Sequence, residues 1–211
     1  MLRENQSPAA RHMPSFVDGE RYEKQKFSRL IERGQRFSGI EFEGCVFQGC
    51  IFAECTFYRC GFHGCRFEGC DLSVIKVPNS RFIEVQFHGS KLVGVDWTKA
   101  GDQSESKLPL SVGFSECVLN LSNFAALKLK GSAFTRCTAR DVDFADTDLS
   151  ECDCRSSDFA DSKFLHTNLS KADLREATGY AINPTTNNIK KAKFSLPEAL
   201  TLLAGFDVEI E

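Results

Sequence analysis

Tryptophan, methionine, tyrosine and proline are scarce in this sequence. Among 211 residues there are one Trp, two Met, three Tyr and six Pro, against nineteen Phe. No apolar run reaches the roughly 20 residues that cross a bilayer, and the first thirty residues lack the apolar centre of a signal peptide. Charge of either sign is not in large excess: the net value is −3. No basic stripe interleaved with aromatics is present, which argues against direct nucleic-acid binding. C-x2-C pairs, a Gly-rich phosphate loop before a helix and a nucleophile–base arrangement are also missing. The sequence therefore leads us to expect no enzyme, no metal, no cofactor and no membrane partner.

What is there is a five-residue period. Phenylalanine falls at 37, 42, 47, 52, 57, 62 and 67, and cysteine at 45, 50, 55, 60, 65 and 70, two places before the following member. On an α-helix a step of five advances about 140° past a full turn, which scatters the rings. In an unbroken strand an odd step alternates faces. A short extended piece followed by a corner satisfies both. The phenylalanine (position i) and the residue two before it (i−2) point the same way, then the chain bends. Gly44, Gly49, Gly64, Gly69, Gly89 and Gly94 sit two places after i, where a tight corner asks for positive φ. Bends of one hand wind the chain into an all-β solenoid with i and i−2 inside. The ten cysteines sit mostly at i−2, so they read as small apolar fillers in a reduced, cytoplasmic protein rather than as a disulfide framework.

Punctuation in this period divides the chain. Residues 1–20 are polar and aperiodic and are expected to be a disordered leader, with Met13 an alternative start. Residues 21–36 form a lead-in that covers the open end: Glu32 stands at i and Gln35 at i−2. A first run of thirteen pentads, centred every five residues from Phe37 to Trp97, fills 37–100, with Trp97 expected to plug the core. Residues 101–112 break the register and predict a loop extruded from one corner. Leu108, Pro109 and Leu110 on it are either partner contacts or parts of a tolerated insertion. Thirteen more pentads, from Phe114 to Leu174, occupy 113–178. Together they predict six and a half coils and a rod of about 31 Å at ~4.8 Å per coil. The tail, 179–211, predicts a short strand, a helix over about 196–204 with Ser195 and Glu198 as a capping box, and a final strand. Phe194, Leu196, Leu200, Leu203 and Phe206 supply an apolar stripe for a homodimer contact.

The second run is acidic. Asp141, Asp143, Asp148, Asp153, Asp158, Asp161 and Asp173 are the candidate partner contacts, and twenty-residue stacking would set Asp141 over Asp161 and Asp153 over Asp173. A solvated surface with Asx-type corner bonds is the plainer account of them.

The pentads, with their A(D/N)LXX-like second run, resemble the pentapeptide-repeat family, whose fold is a right-handed, four-sided β-helix of four pentads per coil. DLSVIKVPNSRFIEVQF, KLVGVDWTKA and NNIKKAKFSLPEALTLLAGFDVEI narrow the resemblance to its topoisomerase-protecting branch. Within that branch they look most like the albicidin-resistance protein, and less like the microcin B17 immunity protein and the Qnr proteins. The resemblance implies a cytoplasmic homodimer that imitates duplex DNA, binds DNA gyrase, with topoisomerase IV a second candidate, and protects it from a poison such as albicidin. An interaction scaffold of the same fold with no topoisomerase target is the alternative.

Overall fold

Residues twenty apart lie side by side through most of the chain. Tyr22 pairs in parallel with Phe42, Phe42 with Phe62 and Phe62 with Phe82. A second column runs Phe27, Phe47, Phe67, Phe87, Phe114 and Phe134. Further columns hold Phe37 beside Phe57 and Ile51 beside Asp71. This computed structural model, which describes residues 15–101, 110–206 and 208, is thus a β-solenoid of about eight turns. At ~4.8 Å per coil its length is about 38 Å.

The inward position carries a ladder of phenyl rings. Phe47 stacks on Phe67 with centroids 4.5 Å apart, Phe67 on Phe87 at 5.0 Å, and Phe87 on Phe114 at 5.2 Å. Rings of neighbouring columns meet edge to face, as Phe57 and Phe62 do at 5.3 Å. Offset stacks and edge contacts are the two favourable arrangements of aromatic quadrupoles, so both contact directions add to the area buried. Trp97 is fully buried among Phe82, Phe87, Phe114 and Phe124 and plugs the core as expected.

The i−2 side chain does more than fill space. It donates to the carbonyl of the inward residue one coil back: Cys65 Sγ–H to Phe42, Cys70 to Phe47, Ser80 Oγ–H to Phe57, Ser157 to Phe134. Several also accept the main-chain N–H of the preceding i−2 residue, as Ser80 does from Cys60 at 3.0 Å and Ser90 from Cys70 at 3.0 Å. Buried backbone groups must find partners, and a small hydroxyl or thiol at this position supplies one. The cysteines are therefore weak donors as well as fillers. All ten are buried and free, and burial pushes the Cys65 and Cys152 thiols up to about 12.

Both ends depart from expectation. Phe16, placed in a disordered leader by its sequence, is 2% exposed and closes the N-terminal mouth. Its ring meets those of Phe27 and Phe42 edge to face. The buried Glu32 carboxylate at the inward position accepts the Ser15 N–H at 2.9 Å and ties this plug to the coil. The solenoid is also longer than six and a half coils. Tyr22 and Phe27 already lie in the ladder, and after Gly179 the register is recovered by Asn187 and Ile189, until Phe194 pairs with Leu174. Gly179 interrupts the run because a Cβ there would stand 2.8 Å from the Ala160 nitrogen; Tyr180, one residue later, turns inward instead.

The break at 101–112 falls on the column of Phe82. Gly101 still donates to the Ser80 carbonyl as a pentad would, and Ser111 donates to Phe82. The coil between them takes twenty-seven residues from Phe87 to Phe114 instead of twenty. Leu110 is half-buried and packs on the core rather than standing free. Leu108 and Pro109 lie outside the described residues.

Replacing Ser80 by Ala would leave the Phe57 carbonyl and the Cys60 N–H without this partner, at a cost of about 1–3 kcal/mol. Ser80→Cys keeps a donor and is expected to lose less. Urea unfolding of the two variants checks the order; equal losses would contradict it.

Candidate partner-binding surface

Three of every five residues point outward: i−1, i+1 and i+2. The i+2 residues turn the corner in the left-handed region, glycine at Gly44, Gly64 and Gly94 and side-chain-bearing residues in the second run, Asp141, Asp146, Glu151 and Asp161 among them. Asp or Asn at i−1 steadies the same corner. Its Oδ1 accepts the N–H two residues on: Asp143 from Ala145 at 2.8 Å, Asp148 from Ser150 at 3.0 Å, Asp158 from Ala160 at 3.0 Å. This is the Asx turn that such residues favour.

The candidate aspartates therefore fall into two groups. Asp153 and Asp173 stack in adjacent coils as expected, and each holds an arginine two residues on. Arg155 grips Asp153 with Nη2 at 2.7 Å and Nε at 2.8 Å, and Arg175 grips Asp173 with Nη2 at 2.6 Å and Nε at 2.9 Å. Those guanidiniums hold both carboxyls below their ordinary value. Asp158 pairs with Arg140 at 2.6 Å and Asp143 with Lys163 at 3.5 Å. Asp148 accepts the Asn168 amide at 2.9 Å. Asp141 and Asp161 differ: both are exposed at corner positions of adjacent coils, and no ion pair to either exists among the described residues. Much of the acidity in the second run is thus paired locally, and of the candidate aspartates Asp141 and Asp161 stand open on one column.

The tail folds over the last coil. Glu198–Phe206 is a 3-10 helix, not the α-helix expected. Ser195 and Glu198 do not cap it reciprocally. Ser195 Oγ accepts the Glu176 N–H at 3.1 Å and Glu198 Oε1 accepts the Gly179 N–H at 2.6 Å, so both serve donors at the solenoid's open end. Phe194 points inward, beside Tyr180 and paired with Leu174, which removes it from the expected contact stripe. With three residues per turn, Leu200, Leu203 and Phe206 line one side of the helix, exposed at 45, 37 and 54%, with Leu196 at 77% below them. The final strand expected after Phe206 falls largely outside the described residues.

A four-column solenoid with i and i−2 inside defines a class of protein: a β-solenoid built from pentapeptides. Family models described as pentapeptide repeat region and pentapeptide repeats (8 copies) match residues 40–103 and 140–176. The chain is a pentapeptide-repeat protein. Among solved structures it is similar in fold to QnrB1, described as a plasmid-mediated fluoroquinolone resistance protein. One trypsin-treated point variant of QnrB1 is 19% identical, with 92% of each chain covered and a TM-score of 0.66. A second trypsin-treated point variant is 20% identical, covers 92% of this chain and 91% of its own, and scores 0.60. Full-length QnrB1 is 18% identical, covers 87% of this chain and 100% of its own, and scores 0.56. A search of curated protein sequences finds no match. No helix among the described residues is long and apolar enough to cross a membrane.

The Asp173 pair gives a pH signature. A carboxyl whose folded pKa lies below its ordinary 3.8 adds stability above that value and loses it as pH falls through the folded value. Asp173→Asn keeps the corner bond, which Asn168 already makes with Ser170. The variant should lose less than about 1 kcal/mol at pH 7, because the Arg175 side chain is half exposed, and progressively less as pH falls below 3.8. Urea midpoints at pH 7 and at successively lower pH check this; a penalty that does not shrink on acidification would contradict it.

Proposed function

We propose that this solenoid is a cytoplasmic, homodimeric protein that binds DNA gyrase, with topoisomerase IV a second candidate, and protects it from a poison of its cleaved DNA complex. The observation that carries the reading is the fold likeness to QnrB1 over 92% of both chains, taken with that protein's description as a fluoroquinolone resistance factor. Physical features support it. A rod of stacked coils is stiff and narrow, suited to a channel shaped for duplex DNA. Its open carboxylates, Asp141 and Asp161, favour a basic partner.

Charge alone cannot make the fit. Duplex DNA carries about one negative charge per 1.7 Å, whereas this chain totals −3 with most second-run carboxylates paired. Shape and local contacts carry more of the recognition than charge density does, and the two free carboxylates carry more of the charge term than Asp143, Asp153, Asp158 or Asp173.

The direct test is gyrase supercoiling with and without a fluoroquinolone, albicidin or microcin B17, at increasing protein. Rescue from at least one poison is expected, and Asp141→Asn/Asp161→Asn should need several-fold more protein for the same rescue. No rescue and no gyrase binding at micromolar protein would leave the scaffold alternative. The dimer is proposed to form through Leu196, Leu200, Leu203 and Phe206, which a second copy would cover. Sedimentation should give twice the chain mass for the parent and the chain mass for Leu200→Lys/Phe206→Lys; an unchanged dimer would exclude this contact.

A further inference from the structure

One outward column breaks the solenoid's own pattern. Corner residues in the left-handed region are glycine or polar almost throughout, with Ala126 a small addition; Val74 at φ 56° and Leu121 at φ 62° are large and apolar. For a β-branched residue such as Val74 this backbone is a genuine outlier. Neither side chain is withdrawn into the core, since Val74 is 49% and Leu121 60% exposed.

Both belong to one column. Val74 N–H bonds the Val93 carbonyl, Gly94 N–H bonds Asn120, Leu121 N–H bonds Arg140, and Asp141 N–H bonds Ala160, so successive coils present Val74, Gly94, Leu121, Asp141 and Asp161. Among the described residues, and apart from its chain neighbours, the atom within 4 Å of where a Gly94 Cβ would sit is Val74 Cγ2 at 3.8 Å. The missing side chain leaves a notch between two apolar walls about 10 Å apart, two coils at ~4.8 Å. Glycine would suit the backbone better at both walls, and exposed apolar atoms gain nothing from folding. The use of Val74 and Leu121 therefore lies outside the chain, following the usual inference from a backbone outlier to a role.

We infer that the Val74–Gly94–Leu121 notch is a docking site for a protein segment that inserts one large apolar side chain between the two walls. The same segment sets Lys or Arg opposite Asp141 and Asp161, about 10 and 14 Å further along the column. On an α-helix lying along the rod those cations fall roughly seven to ten residues from the apolar anchor. The carboxylates disfavour a nucleic acid and favour this basic, apolar segment. The inference rests on the topoisomerase reading, in that the segment belongs to the same partner, and it adds an apolar anchor to the contact that Asp141 and Asp161 make there.

The test pairs thermal unfolding with gyrase binding for the full-length parent, Val74→Gly/Leu121→Gly, Gly94→Lys and the neighbouring-column control Ala126→Gly. Lysine tolerates this corner at Lys171 and Lys191. Removing both walls should leave Tm unchanged or raise it by about 2–4 °C, while weakening gyrase binding about tenfold or more. Gly94→Lys should weaken binding similarly, and Ala126→Gly should not. Parent-like affinity in the wall variant and in Gly94→Lys overturns the notch with the topoisomerase reading intact. A Tm loss of several degrees in the wall variant overturns it too, by assigning the side chains a structural role. A parent that does not bind gyrase overturns both.

Discussion

A phenyl ring must stack on the ring twenty residues away. Phe47 on Phe67 at 4.5 Å and Phe124 on Phe144 at 5.5 Å set both the coil length and the coil spacing. Nothing in an isolated pentad could hold its shape; each coil is stable only against its neighbour, as in any repeat array. The constraint is severe because it fixes chain length per coil at twenty residues. An insertion cannot be spread along the solenoid, so the extra residues fall between Gly101 and Ser111, both of which keep their bonds to the preceding coil. A missing inward residue, as at Gly179, must be repaired at once by Tyr180. The i−2 position is bound by the same rule: small and medium side chains, from Ser80 to Ile40 and Ile75, fill the space beside the rings. Where the residue there is Cys, Ser or Thr, it also serves a backbone group of the neighbouring coil.

The constraint also shapes the surface. Outward side chains are set in columns with one residue per coil, so like charges would face each other at ~4.8 Å unless broken up. The second run breaks them up. Each i−1 aspartate secures its own corner and, at Asp143, Asp153, Asp158 and Asp173, also holds a cation. Much of the acidity in the sequence is thus paired on the surface, while Asp141 and Asp161 have no ion pair among the described residues. For a protein proposed to stand where DNA stands, girth and stiffness matter more than accumulated charge.

Much of this was legible in the sequence. A five-residue period with glycine at i+2 admits few chain paths, so the solenoid, the inward ladder, the buried Trp97 and the stacking of Asp153 on Asp173 followed from spacing. What escaped spacing was whatever acts outside the period. Phe16 is a lone ring in a polar stretch, and only the open mouth of the first coil gives it a place. The Ser195–Glu198 spacing suits a helix cap, but unsatisfied donors at Glu176 and Gly179 compete for the same side chains and win. Phe194 looked like the start of a surface stripe because the pentads seemed to stop at Leu174, whereas one more partial coil takes it inward. The charge pattern could be read residue by residue, but which carboxylates remain open depends on arginine geometry that spacing does not specify.

On the proposed function, this rod occupies the surface that gyrase keeps for duplex DNA. The most direct test is competition: labelled protein bound to gyrase, titrated with linear duplex long enough to fill the enzyme's channel. Mutual exclusion, with the protein released as the duplex binds, is the predicted result. A stable complex holding protein and duplex together on the same enzyme site would contradict the account.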